Sequence, residues 1–113
     1  SDRQVAFFGK FDGESIEKSK ITTPFKVEVV DINHPSKKYE VTEYALLLIK
    51  SGAVFSYKFN NNNSDYSDDI FTTISTLKSG ATISITQVKI KEFSNDKNMF
   101  IDSPVGGMVI TLK

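Results

Sequence analysis

The densest run of oxygen-bearing side chains is NNNNSDYSDD, residues 60–69, in which four asparagines lead into Asp65, Asp68 and Asp69. A calcium loop would need about six to eight oxygen ligands, a glycine for its sharp turn and a closing bidentate glutamate. Neither the glycine nor the glutamate is present here. The simpler reading is a polar connector running into a helix. Ser67 suits the N-cap, and Asp68 and Asp69 fall in the first turn, where exposed amides and the positive end of the helix dipole favour carboxylates. Calcium stays as the alternative, and it predicts a melting temperature that falls with chelator; the expectation is no metal and no cofactor.

Other reactive combinations are sparse. His34 is the single histidine, so an imidazole-based triad would have to use it, yet it sits in NHPSK, a turn-like connector that names no acid partner for it. Asp12 with Glu14 and Asp68 with Asp69 are paired carboxylates, but nothing places either pair in the apolar pocket that general acid–base work requires. No G-x-S-x-G elbow occurs, and Gly106-Gly107 lacks the lysine and following helix of a phosphate loop. With no cysteine there is no thiolate nucleophile, thiolate zinc site or disulfide. This inventory points away from an enzyme.

Composition narrows the partners. Fourteen Lys and Arg balance fourteen Asp and Glu, so no net field would gather phosphate backbones, and nucleic acid is not expected. The longest apolar run, residues 44–49, falls far short of the roughly 20 residues that cross a bilayer, so this segment is not expected to insert in a membrane. Nine phenylalanines, four tyrosines and no tryptophan suit a core more than a sugar platform. Tyr39, Tyr44 and Tyr57 fall in strand-like runs and Tyr66 in the polar connector. A carbohydrate-binding or adhesin-type module is the alternative function, and it requires an exposed tyrosine-rich face.

The elements that must position these residues are mostly strands. Runs rich in β-branched and aromatic residues, bounded by turn chemistry, cover residues 5–9, 25–32, 38–49, 53–59, 82–93 and 107–113, with a weaker one at 98–101. Along 82–91 the apolar positions are 83 and 85, then 88 and 90; the alternation slips by one near Thr86 and Gln87, as a β-bulge would cause. A similar slip in 25–32 fits either a bulge or a strand buried on both faces. Ile70, Phe71, Ile74 and Leu77 form one helical stripe, with Lys78 and Gly80 as C-terminal signals, which predicts a helix over about 68–78. Its interior, Thr72, Thr73, Ser75 and Thr76, is weak in helix propensity, so the helix depends on docking. The expected fold is a mainly β, antiparallel, sandwich-like single domain over 1–113 with about seven strands and one short helix. Because the chain begins SDRQVAFF, without an initiator methionine or signal-peptide pattern, it is expected to be the C-terminal fragment of a longer chain.

The order of these pieces resembles a known family. FFGKFDGESIEKSKI contains G-x-x-D-G-x-S-I-x-K, the strand FKVEVVDI follows, and a helix then leads through LKSGATISITQVKI to the closing MVITLK. This is similar to the C-terminal domain of the gliding-motility and type IX secretion shaft protein GldM (PorM) of Bacteroidetes. The matching positions are Gly13, Ser15, Ile16 and Lys18, then Phe25 and Val27, then Gly80, Ile83, Ile85 and Val88. Where that family commonly has a G-P-D-G turn, this chain has residues 93–98, FSNDKN, without the glycine. The resemblance implies a non-enzymatic, periplasmic interaction domain, homodimeric in its parent chain. That parent is anchored in the inner membrane and meets a lipoprotein ring beneath the outer membrane. Loops supply partner contacts more often than strands do, so the expected contact residues are His34, Asn61, Asp65, Tyr66, Asn95 and Asn98.

Overall fold

The computed structural model describes residues 2–22, 24–60 and 68–113, without the side chains of Asp68 and Asp69. The possible calcium loop and three expected contact residues, Asn61, Asp65 and Tyr66, lie outside the described residues. The fold is mainly β, with eight strands in two mostly antiparallel sheets and no closure into a barrel. In chain order they are β1 (Arg3–Phe7), β2 (Ser15–Ile16), β3 (Val27–Asp31), β4 (Val41–Lys50), β5 (Ala53–Asn60), β6 (Thr82–Ser94), β7 (Met99–Val105) and β8 (Met108–Leu112). One helix, α1 (Asp68–Thr76), joins β5 to β6.

All seven expected strands form. The additional strand, β2, spans two residues and runs parallel to β8, paired Ser15 to Thr111 and Ile16 to Leu112. It leaves no alternation to read, because its neighbourhood is laid along β8 by single hydrogen bonds, Gly13 N to Val109 O, Thr111 N to Glu14 O and Lys113 N to Ile16 O. β1 stops at Phe7, short of the expected residue 9, because Phe8 (φ 47°) and Gly9 (φ 77°) form the two-residue turn that returns Lys10 to pair with Phe7. β7 is longer than 98–101 because Pro104 is accommodated where β7 pairs with β6 alone.

β6 is the spine. One edge pairs with β4; the other pairs first with β8, through Thr82–Ile85, and then with β7, through Val88–Ser94. The expected bulge is present. Ala45 faces Thr86 and Glu43 faces Lys89, so β6 advances three residues while β4 advances two, and Gln87 takes φ 53° to absorb the extra one. The register is restored at once, since Val41 faces Ile90, which leaves Thr42 as the extra residue on β4. Its hydroxyl is directed at Lys89 O (3.2 Å) and Asp102 Oδ1 (3.1 Å) and ties the double irregularity together. The slip suspected in 25–32 is neither a bulge nor two-sided burial. β3 pairs with β1 without interruption from Val27 to Asp31, and Ile32 lies beyond the strand, 54% exposed.

The inner face of the large sheet carries Leu46, Leu48, Ile83, Ile85, Ile110 and Leu112, all essentially fully buried. Two layers cover it: the β1–β3 ribbon, through Val5, Phe7 and Val29, and α1, through Ile70 and Ile74, with Leu77 just beyond its end. Burying side chains of this size stabilises by about 1.5–3 kcal/mol each, which is how a threonine-rich helix persists. Phe25, between the two layers, stacks on Phe71 with ring centroids 5.0 Å apart. α1 ends at Thr76, two residues before the expected 78, because Leu77 N turns back to Ile74 O and Gly80 (φ 97°) hands its N–H to Leu112 O.

β7 and β8 are one line interrupted at Gly106-Gly107, and the second glycine is sterically required. A Cβ on Gly107 would stand 2.5 Å from the backbone oxygen of Ile85, whereas one on Gly106 would meet nothing within 4 Å. Gly107→Ala is therefore expected to lower the urea unfolding free energy by more than about 2 kcal/mol and Gly106→Ala by under about 0.5 kcal/mol. Equal effects would show that the close approach is not maintained in solution.

Candidate functional site

The last pairing between β4 and β6 is Val41 with Ile90, followed only by the hydrogen bond from Lys91 N to Glu40 O. Beyond it β6 and β7 continue as a two-stranded ribbon as far as Ser94 and Met99, closed by residues 95–98. Asn98 takes φ 51° there, a left-handed conformation that asparagine tolerates better than most residues. The domain is correspondingly elongated, 46 × 28 × 23 Å.

The ribbon exposes three large apolar side chains. Phe93, Met99 and Phe100 are 49%, 53% and 59% exposed. The rings of Phe93 and Phe100, directly opposite across the strands, meet edge to face at 5.3 Å. The ammonium of Lys91 lies 5.1 Å from the Phe100 ring centre. Isolated exposed apolar residues are ordinary, but here the paired Phe93 and Phe100 rings form an apolar contact on one face of a projecting tip, with Met99, opposite Ser94, on the other face and Asn95, Asp96, Lys97 and Asn98 as a polar border.

The other face of the ribbon is anchored. Arg3 Nη1, on β1, donates to Glu92 Oε1 at 2.6 Å and joins the small sheet to the large one. The Ser103 hydroxyl holds the Glu92 carboxyl below the usual carboxylate range; partial burial opposes that shift, and the hydrogen bond and positive charge of Arg3 reinforce it.

The structure brings three of the six expected contact residues to one end. Asn95 and Asn98 flank the tip. His34 lies in the connector after β3, whose last residue Asp31 is paired with Arg3. His34 also has an acid partner that its sequence context did not reveal: its Nδ1 stands 3.6 Å from Asp31 Oδ1. Asp31 accepts from the backbone N–H of Asn33 (3.0 Å) and His34 (3.2 Å) and from the Tyr39 hydroxyl (3.3 Å). Burial would raise the Asp31 pKa, but the Asn33 amide, the adjacent imidazole and Tyr39 together hold it lowered. With the His34 side chain 73% exposed and no nucleophile bonded to it among the described residues, this arrangement braces a turn.

Phe93, Met99 and Phe100 were not among the expected contacts, although the signal was present. Once the phase slips at Gln87, Val88 and Ile90 face inward and Phe93 must face out. No group of three or more His, Asp or Glu among the described residues is placed to hold a metal. Among the tyrosines, Tyr44 is buried, and Tyr39 and Tyr57 are half-buried, their hydroxyls on Asp31 and Thr73; none of these builds an exposed tyrosine-rich face. The chain matches no protein-family model and no curated protein.

The Glu92 anchor carries a pH signature. A carboxyl lowered in the folded state contributes stability above its ordinary value, here 4.5, and loses it as pH falls through the folded value. Glu92→Gln is expected to cost about 0.5–1 kcal/mol at pH 7, a figure reduced for partial solvent exposure, with the difference from the parent shrinking as pH falls below 4.5 and through the lowered folded value. Urea denaturation across that range measures it; a pH-independent difference would assign the cost to packing.

Proposed function

We propose that this domain acts by protein contact, with the β6–β7 tip as its contact surface. The observation that carries the reading is the exposed Phe93–Phe100 ring pair, with exposed Met99 on the opposite face, on a ribbon extending beyond the β4 edge. Interface centres are enriched in aromatic residues and methionine within a polar rim. The tip has that composition, and it offers neither an acid–base pair nor a nucleophile for chemistry.

The resemblance to the secretion-shaft domain supports the same reading and supplies a setting. On this proposal the domain is non-enzymatic and periplasmic, the parent chain is homodimeric and membrane-anchored, and the partner is a lipoprotein ring beneath the outer membrane. The positions that carry the resemblance serve turns and packing. Gly13 takes φ 86° beside β8, Ile83, Ile85 and Val88 are fully buried, and Gly80 follows the helix. No helix among the described residues is long and apolar enough to cross a membrane. The carbohydrate-binding alternative has less support, because the described tyrosines are occupied within the fold.

Interface hot spots of this type cost at least about 2 kcal/mol when truncated. The double variant Phe93→Ser with Phe100→Ser is therefore expected to weaken binding to the purified ring lipoprotein by more than about tenfold, measured by biolayer interferometry. Val54→Ser, at an exposed position on β5, is the control and leaves it unchanged. Unchanged affinity in the tip variant would remove the tip from the interface.

A further inference from the structure

The end of the domain away from the tip contains a cleft of about 720 Å³, bounded by the end of β4, the β4–β5 turn, the C-terminus of α1 and the start of β6. Its size falls within the range of small-molecule sites, about 300–1,000 Å³. The lining is Ile49, Lys50, Ser51, Thr76, Lys78, Ser79, Gly80, Ala81 and Thr82, which contains two ammonium groups, four hydroxyls and no carboxylate.

A helix C-terminus would ordinarily disfavour an anion, because its last carbonyls present partial negative charge. Here three of the last four carbonyls, those of Thr73, Ile74 and Ser75, are already engaged. Thr72 O accepts from Ser75 Oγ, Thr73 O from Thr76 Oγ1, Ile74 O from Leu77 N and Ser75 O from Lys18 Nζ. The negative pole is thus partly capped, by three donors of which one is an ammonium, with the Ser75 hydroxyl adding a fourth bond one residue further in. Lys113 is held close by, since Leu112 N donates to Ala81 O and Lys113 N to Ile16 O. Among the described residues none of Lys18, Lys50, Lys78 and Lys113 is in an ion pair; the paired cations are Arg3, His34, Lys58 and Lys89. Glu17 also lies at this end, beside Lys18, so the cations that face the cleft with no carboxylate in its lining are Lys50 and Lys78.

We infer that this cleft is a binding site for a small polyanion, a ligand carrying at least two phosphate, sulfate or carboxylate groups. Lys50 and Lys78 neutralise the charge, and the hydroxyls of Ser51, Ser79 and Thr82 donate to the remaining oxygens. The Thr76 hydroxyl hydrogen is already given to Thr73 O, so Thr76 can only accept, and the ligand's own hydroxyl or water fits there. Lys50 also lies 5.6 Å from the Phe55 ring centre, which limits the directions its ammonium samples. The inference does not depend on the tip or on the family resemblance.

Amide NMR spectra of the domain, titrated with inorganic pyrophosphate and separately with citrate at fixed ionic strength, test it. The expected result is saturable shifts confined to Ser51, Gly52 and residues 78–82, at least about fivefold weaker in the double variant Lys50→Gln with Lys78→Gln. The rest of the spectrum reports that this variant is folded. A response to pyrophosphate alone selects phosphate-type groups, and a response to both selects clustered oxyanions in general; either supports the site. Linear, non-saturating shifts that also reach Lys10, Lys38 and Lys97, or an affinity unaltered in the double variant, would overturn it.

Discussion

The architecture depends on one strand serving too many neighbours. β6 must pair with β4 along one edge and with two successive strands along the other, and its apolar side chains must still face the core throughout. A perfectly regular strand has period two, so any change of curvature or partner midway would have to be absorbed elsewhere. Gln87 absorbs it by inserting one residue in a left-handed conformation, and Thr42 restores the register on the opposite strand within a few residues. The two irregularities cancel. Beyond them β6 leaves the body of the sheet, and with it go the residues that form the tip.

This explains which parts of the fold were legible. The strands could be read from alternation, β-branched and aromatic content and turn residues; alternation is clearest where one face is buried, as in β8, because burial writes a period of two into sequence. The phase slip at Thr86-Gln87 was legible because buried Val88 and Ile90 record the changed parity. β2 was not, since two residues held by backbone bonds impose no side-chain pattern. Asp31 was opaque for a different reason: it occupies an inward position on β3, where a carboxylate contradicts the apolar rule, and its stability there comes from two backbone amides and a tyrosine that only folding brings together.

The candidate site was legible in place more than in chemistry. Loop preference pointed to Asn95, Asn98 and His34, and the structure gathers them toward one end. The general rule that phenylalanine belongs in the core hid Phe93 and Phe100, because a composition rule cannot say which of nine phenylalanines a bulge has turned outward. Only a strand-by-strand account of parity separates them. The lysine cluster at the opposite end was invisible for a related reason, since Lys18, Lys50, Lys78 and Lys113 are scattered along the chain and converge only when β2, β4, α1 and β8 are assembled.

The projecting ribbon has a mechanical consequence. One of its two strands runs back into the sheet as β6, whose flanks are hydrogen-bonded to β4 on one side and to β8 on the other. A pull on the tip is directed along β6, so it loads those ladders lengthwise, many bonds at once, instead of opening them one at a time from an end. The Arg3–Glu92 bridge resists sideways bending at the base of the ribbon. Traction at the tip would therefore reach the domain as shear spread across the large sheet, the geometry in which hydrogen-bonded strands yield least readily.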